Sequence, residues 1–160
     1  MTIDIRYYKD EDAPVLLDIH YNAVHKTGAK DYSQVVLNNW SPPVDSERVA
    51  HFQANLDNAL RLVAEFNGRI AGFAALVIRN NELRACYIDP DYSGLGVGRA
   101  LVDALEYEAR NAGLTHLEFD SSLTAEPFYN RLGYQTLRHG QHEMRNGLTM
   151  SCAHIYKKLV

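Results

Sequence analysis

Ile88-Asp89-Pro90-Asp91-Tyr92-Ser93-Gly94-Leu95-Gly96-Val97-Gly98-Arg99 is the stretch on which the fold turns. A strand ends, Pro90 breaks it, and glycines open a helix. Glycine lets the backbone approach a ligand closely and adopt positive φ, so that several N–H groups converge on one anion. The first turn of the helix adds the positive end of its dipole. Together these make a cradle for a pyrophosphate, in which each charge-assisted hydrogen bond contributes roughly 1.5–3 kcal/mol. Alone, Gly94-x-Gly96-x-Gly98 is equally compatible with a glycine-rich turn that brings a helix close to a sheet. A P-loop requires Lys and then Ser or Thr after its last glycine, and Arg99-Ala100 stands there instead. A dinucleotide fold has wider glycine spacing and an acidic residue further on, a part Asp120 can play. It also needs a parallel strand before the loop.

What precedes the loop is a meander. Leu60 to Glu65 reads as a strand, Asn67-Gly68 as a tight hairpin turn and Arg69 to Ile78 as the returning strand. Asn80-Asn81 makes a second turn and Glu82 to Ile88 a third strand. Under strict alternation Glu82, Arg84, Cys86 and Ile88 share one face of it. After the loop a helix runs to about Ala112, with Val97, Leu101, Ala104 and Leu105 on its apolar face, Asp103, Glu106 and Arg110 opposite, and Gly113 as its stop. His116 to Asp120 is a strand, Thr124 to Arg131 a short helix, and a final pair of strands follows Gly133 and ends near Leu159.

The first sixty residues are less regular. Ile3 to Tyr8 reads as a strand. Asp10 or Asp12 caps a helix that ends by Gly28, with Leu16, Ile19, His20 and Ala23 on one face. Lys30 to Asp45, containing Tyr32, Trp40 and Pro42-Pro43, has no clear period. Ser46 then caps a helix to about Ala59 with Val49, Phe52 and Leu56 on one side. No repeat or linker divides the chain, so one α+β domain over residues 1–160 is expected.

At this point the chain resembles a known family. The strand, Asp89-Pro90, the glycine loop and the helix are similar to motif A of the GNAT acetyltransferases: Arg or Gln, two residues, Gly, one residue, then Gly or Ala. With Gly96 and Gly98 aligned to it, Ser93 stands where Arg or Gln is usual, and offers its backbone N–H in place of a side chain. Ala125-Glu126-Pro127-Phe128-Tyr129-Asn130-Arg131-Leu132-Gly133-Tyr134 resembles motif B, and Ile155 to Leu159 the last strand. The resemblance implies the GNAT fold, a mixed central sheet of about six or seven strands flanked by about four helices.

It also implies acetyl-CoA as co-substrate. The pantetheine arm enters between Glu82–Ile88 and His116–Asp120, bonds the backbone near Tyr87 and Ile88, and has Ser122, Ala125 and Tyr129 nearby. The segment Ser93, Gly94, Leu95, Gly96, Val97, Gly98 and Arg99 holds the pyrophosphate. Tyr129 matches the tyrosine that protonates the leaving sulfur; a phenol with a pKa of about 10 keeps its proton at neutral pH. Glu82 matches a catalytic glutamate of some members, acting directly or through water, and His25 is its rival as base. Tyr32 and Trp40 lie where this fold builds its acceptor pocket.

Composition bounds the partners. Sixteen basic and twenty acidic residues give a net charge of −4, with no basic run for nucleic acid. The longest apolar stretch, Ile70 to Ile78, is too short to span a bilayer, and the charged start has no signal-peptide core, so a cytoplasmic protein is expected. Cys86 and Cys152 read as small buried residues. The seven histidines lack ligand spacing, His139 and His142 reading as solvent-facing or rim residues, and no metal site is expected. Edge strands near the C-terminus are compatible with a homodimer. The leading expectation is N-acetylation of a primary amine on a small molecule. Acetylation of a protein N-terminus or lysine, and a non-catalytic acyl-CoA sensor, remain as alternatives.

Overall fold

The structure, a computed structural model, describes residues 2–160. Its elements run β1 (Ile3–Tyr7), α1 (Ala13–Thr27), α2 (Gln34–Trp40), α3 (Ser46–Ala54), β2 (Leu60–Phe66), β3 (Arg69–Val77), β4 (Glu82–Ile88), α4 (Val97–Asn111), β5 (His116–Ser122), α5 (Glu126–Arg131), β6 (Gln135–Glu143) and β7 (Thr149–Lys158). Strands β1-β2-β3-β4 form one antiparallel sheet and β5-β7-β6 another. The expected mixed sheet is therefore divided. Its two halves meet where the Glu118 amide donates to the Asn81 carbonyl at 2.9 Å, and no other backbone bond joins β4 to β5 among the described residues.

The hairpin at Asn67-Gly68 has both residues at positive φ, 50° and 83°, as a two-residue type I′ turn requires. It sets a register in which Leu62, Ala64, Ala74 and Leu76 face α4, while Val63 and Phe73 face α1. Helix α4 carries Val97, Leu101, Val102, Leu105 and Ala109 into the larger core at i, i+4 and i+8 spacing. Each of its fully buried leucines contributes about 1.5–3 kcal/mol. On the other face Leu16 and Ile19 of α1 close a smaller core.

Four expectations need correction. Glu106 is not on the solvent face of α4 but buried, because Tyr134 Oη donates to it at 2.8 Å and Lys157 Nζ at 2.9–3.0 Å. A long acidic side chain is accommodated there because the far wall supplies its partners. Helix α3 ends five residues early: Asn55 turns left-handed (φ 46°) and its side chain bonds both N–H and C=O of Ala59. That local bonding competes with the helix, and leaves Leu56 exposed. The cap of α3 is Asp45, whose Oδ1 accepts the Arg48 amide at 2.8 Å, rather than Ser46. The segment without a clear period contains α2, capped by Ser33, giving five α-helices where about four were expected.

Candidate active site

Residues Gly94 to Arg99 open α4. Gly94 and Gly96 have φ of 76° and 90°, conformations that a side chain strains. The first amide to find an acceptor is Ala100, which donates to Gly96; the N–H groups of Gly94 through Arg99 have none among the described residues. They stand open at the positive end of a four-turn helix, an arrangement that suits an anion cradle. Ser93 differs from expectation, because its N–H donates to the Pro90 carbonyl at 3.3 Å. The cradle therefore begins at Gly94. Gly98 meets a separate need: a Cβ there would lie 2.9 Å from the Phe128 ring.

Beyond the single bond at Asn81, the edge of β4 at Tyr87 and Ile88 has no strand partner on the β5 side. On its other side those residues pair with Phe73 and Gly72. Such an edge accepts a chain that bonds as a strand does. Ser122, at the end of β5, and Ala125 are joined to one another by the Ala125 amide donating to Ser122 Oγ at 3.1 Å.

Strict alternation along β4 fails. A bulge at Arg84 shifts the register, pairing Leu76 with Leu83 and Ala75 with Ala85. Leu83, Cys86 and Ile88 pack toward α4, whereas Glu82, Arg84, Ala85 and Tyr87 line a cleft on the opposite face. Glu82 is thus on Tyr87's side of the sheet, not on that of Cys86 and Ile88. Its carboxylate accepts Arg84 Nε at 2.8 Å and Nη2 at 2.9 Å. Burial raises its pKa, but the Arg84 hydrogen bonds and charge more than offset this and hold it below the ordinary carboxylate value.

Tyr129 is buried within the short helix α5, edge-on to Phe119, Phe128 and Tyr134. Its hydroxyl forms no hydrogen bond among the described residues. Burial, then the proximity of Cys86 and Tyr87, pushes its pKa well above 10, so the phenol is protonated at neutral pH. Cys86 is itself pushed up to about 12 by burial and is no nucleophile.

The cleft has a volume of about 1510 Å³. Its aromatic wall is Trp40, Tyr87, Phe52 and Phe73; Trp40 Nε1 donates to Tyr87 Oη at 3.1 Å. His20 stands at its base, its ring centroid 4.4 Å from that of Tyr87, and burial with the charges of Arg48 and His25 lowers its pKa to about 3. Of His25, Tyr32 and Trp40, the three residues expected near the acceptor, only Trp40 lines the cleft. His25 lies outside, donating Nε2–H to the Ser41 carbonyl at 2.8 Å and packing on Tyr21. Tyr32 is a tie between elements: its hydroxyl donates to the Ser151 carbonyl at 2.5 Å and accepts the Leu123 amide at 2.8 Å.

The model of the acetyltransferase (GNAT) domain matches residues 28–152. The chain belongs to the GNAT acetyltransferase family. It is 29% identical over 143 residues to the uncharacterized N-acetyltransferase YafP of Escherichia coli, covering 89% of this chain and 88% of that protein. Among solved structures, a GCN5-related N-acetyltransferase from Rhodopseudomonas palustris superposes with a TM-score of 0.89 at 32% identity, over 99% of this chain and 96% of that one. The PaiA N-acetyltransferase from Thermoplasma acidophilum, solved in complex with coenzyme A, superposes with a TM-score of 0.75 at 24% identity over 99% of both chains, which shows the shared fold. GNAT enzymes draw their acetyl group from acetyl-CoA, and the open cradle and the unpaired β4 edge of this GNAT chain suit a pyrophosphate with an extended amide-bearing arm.

The GNAT cleft also contains a cluster that the sequence did not bring together. Asp120 on β5 accepts His142 Nδ1 at 3.0 Å and His154 Nδ1 at 2.9 Å, and His154 Nε2 lies 2.7 Å from Glu118. Asp120 and His142 line the cleft. Burial raises the Asp120 pKa, yet the two imidazoles more than offset it and leave it lowered, while Asp120 and Glu118 raise that of His154. The residues come from three strands, so no local motif announces them. Arg48 and Arg145, also in the cleft, lie almost a hundred positions apart.

Proposed function

We propose that this acetyltransferase moves the acetyl group of acetyl-CoA to the primary amine of a small molecule by direct attack. The observation that carries the acceptor class is that packed segments bound the cleft on two sides. Trp40, Pro42, Pro43 and Arg48 line one side, and His142, Arg145 and Met150 of the β6–β7 hairpin the other. Arg145 Nη2 donates to the Asn39 carbonyl at 3.4 Å, and Tyr32 ties the same segment to Ser151. A cleft narrowed from two sides by packed segments suits a compact acceptor better than an extended peptide.

Acetyl-CoA supplies the reactive thioester carbonyl. Gly94 to Arg99 bind its pyrophosphate through backbone N–H groups, and the free edge at Tyr87 and Ile88, with Ser122 and Ala125, orients its arm. Tyr129 holds a proton at its phenol oxygen for the departing sulfur. Glu82, kept in its ion pair with Arg84, is a weak direct base. It receives the amine proton through water. His142 offers a second exit, since Nδ1–H on Asp120 leaves Nε2 free to accept.

A thiol-release assay with acetyl-CoA tests this reading, run with a panel of small primary amines against unstructured peptides bearing free N-termini and lysines. Turnover of small amines, with peptides at background, is expected. Peptide acetylation with inert small amines would overturn the acceptor class.

A further inference from the structure

Four arginines line the cleft, and two of them are neutralised or engaged. Arg84 is paired with Glu82 and with Asp57 at 2.5 Å. Arg61 lies over the Phe52 ring, 3.7 Å from its centroid, and donates to the Phe52 carbonyl at 2.7 Å. Arg48 and Arg145 differ: among the described residues neither forms an ion pair with any carboxylate. Arg48 donates to the Pro42 carbonyl and Arg145 to that of Asn39, which leaves most of each guanidinium fork free. Asp45 and Glu47 line the same cleft without pairing to them, Asp45 being engaged in capping α3.

The two arginines also act on one another. Arg48 is half-buried, and desolvation followed by the charge of Arg145 lowers its pKa. The charge of Asp45 offsets this only in part, so two mutually repelling cations, one drawn out of water and neither in an ion pair, carry a cost that a bound anion removes. The pair is also close to the chemistry. Arg48 acts on His20, and His20 packs against Tyr87 on the open edge of β4. An anion held there leaves the rest of a small acceptor against Trp40 and Tyr87.

We infer that the acceptor is an amine that also carries an anionic group, a carboxylate or a phosphate, held jointly by Arg48 and Arg145. This deepens the small-amine reading and rests on it. Planar guanidinium forks bind either oxyanion bidentately, with the geometry a lysine lacks.

The test is equilibrium binding of acetylated products to the protein with coenzyme A present, which needs no turnover. N-Acetylated amino acids are titrated beside their C-terminal amides, and N-acetylated O-phosphoethanolamine beside N-acetylethanolamine. An anionic member is expected to bind roughly 10–100-fold more tightly than its neutral match, as charge-assisted bidentate contacts give. Arg145→Met, on an exposed hairpin where folding is not at risk, and Arg48→Met are expected to erase that preference while coenzyme affinity stays unchanged; Arg48→Lys is expected to restore part of it. Preference among the acids identifies a carboxylate, and preference for the phosphate member a phosphate. Equal binding of acids and neutral matches, or a preference that survives both substitutions, would overturn the inference. Loss of coenzyme binding with the anion preference intact would instead strike the acetyl-transfer reading alone.

Discussion

Tyr129 and Glu82 occupy opposite situations, and the difference decides what each can do. Tyr129 is a buried residue whose unbonded hydroxyl keeps its proton, so Tyr129→Phe is expected to lower kcat about 10²–10⁴-fold, the usual worth of a positioned acid. Acetyl-CoA affinity, measured by calorimetry, should not change, because the ring packing survives. An unaltered kcat would remove the phenol from the mechanism. Glu82 is held by two hydrogen bonds from Arg84 that keep it ionised. Glu82→Gln is therefore expected to cost no more than about tenfold in kcat/KM, as fits a proton acceptor reached through water. A thousandfold loss would instead mark a direct base. The local pattern around Tyr129 was legible in the sequence because Phe128-Tyr129 sits on a short helix that Leu132-Gly133-Tyr134 directly follows. The side of β4 that Glu82 faces was not, since a bulge is a property of strand pairing and leaves no trace in alternation.

At the scale of elements, the glycine loop and α4 serve binding and packing at once. Gly98 touches the Phe128 ring, so Gly98→Ala pushes α4 from α5 and is expected to destabilise the fold by about 1–3 kcal/mol, the usual cost of overpacking. Chemical denaturation reads this directly, and a weakened coenzyme affinity should accompany it. Undiminished stability would mean that Phe128 yields freely. The meander, the loop and α4 were readable because period, turn residues and stop signals agreed over Leu60 to Gly113. The segment before them was not. Helix α2 has only seven residues, too few for a period, and its neighbours are fixed by distant partners such as Ser151 and Leu123.

Across the whole molecule, ion pairs join the two ends of the chain to its middle. Arg6 bonds Asp12 through both guanidinium nitrogens at 2.9 Å, which, with the Lys9 amide, holds the Asp12 carboxyl below its ordinary 3.8 against the opposing effect of burial. A depressed folded pKa stabilises above the unfolded value and loses that stabilisation as pH falls through the folded one. His154, raised above 6.5 by Asp120 and Glu118, acts in the other direction: its contribution is complete below 6.5 and is lost as pH rises through the raised value. The Tm is expected to fall below pH 4 and to decline again on the alkaline side, with His154→Gln abolishing only the alkaline decline. A flat alkaline profile in the unaltered protein would contradict the His154 assignment. The cleft belongs to this scale as well, since its walls come from both halves of the chain, and no local pattern reveals which arginines remain unpaired. The claim on which all the chemistry rests is that the cradle at Gly94 to Arg99 and the gap beside β4 hold acetyl-CoA. The measurement that goes straight to it is a thermal melt with acetyl-CoA, with NADH as control. At about 100 times the dissociation constant the ligand adds roughly 2.7 kcal/mol, so a rise of about 5–10 °C with acetyl-CoA and none with NADH is expected. No rise at saturating acetyl-CoA would mean that the glycine loop serves packing alone.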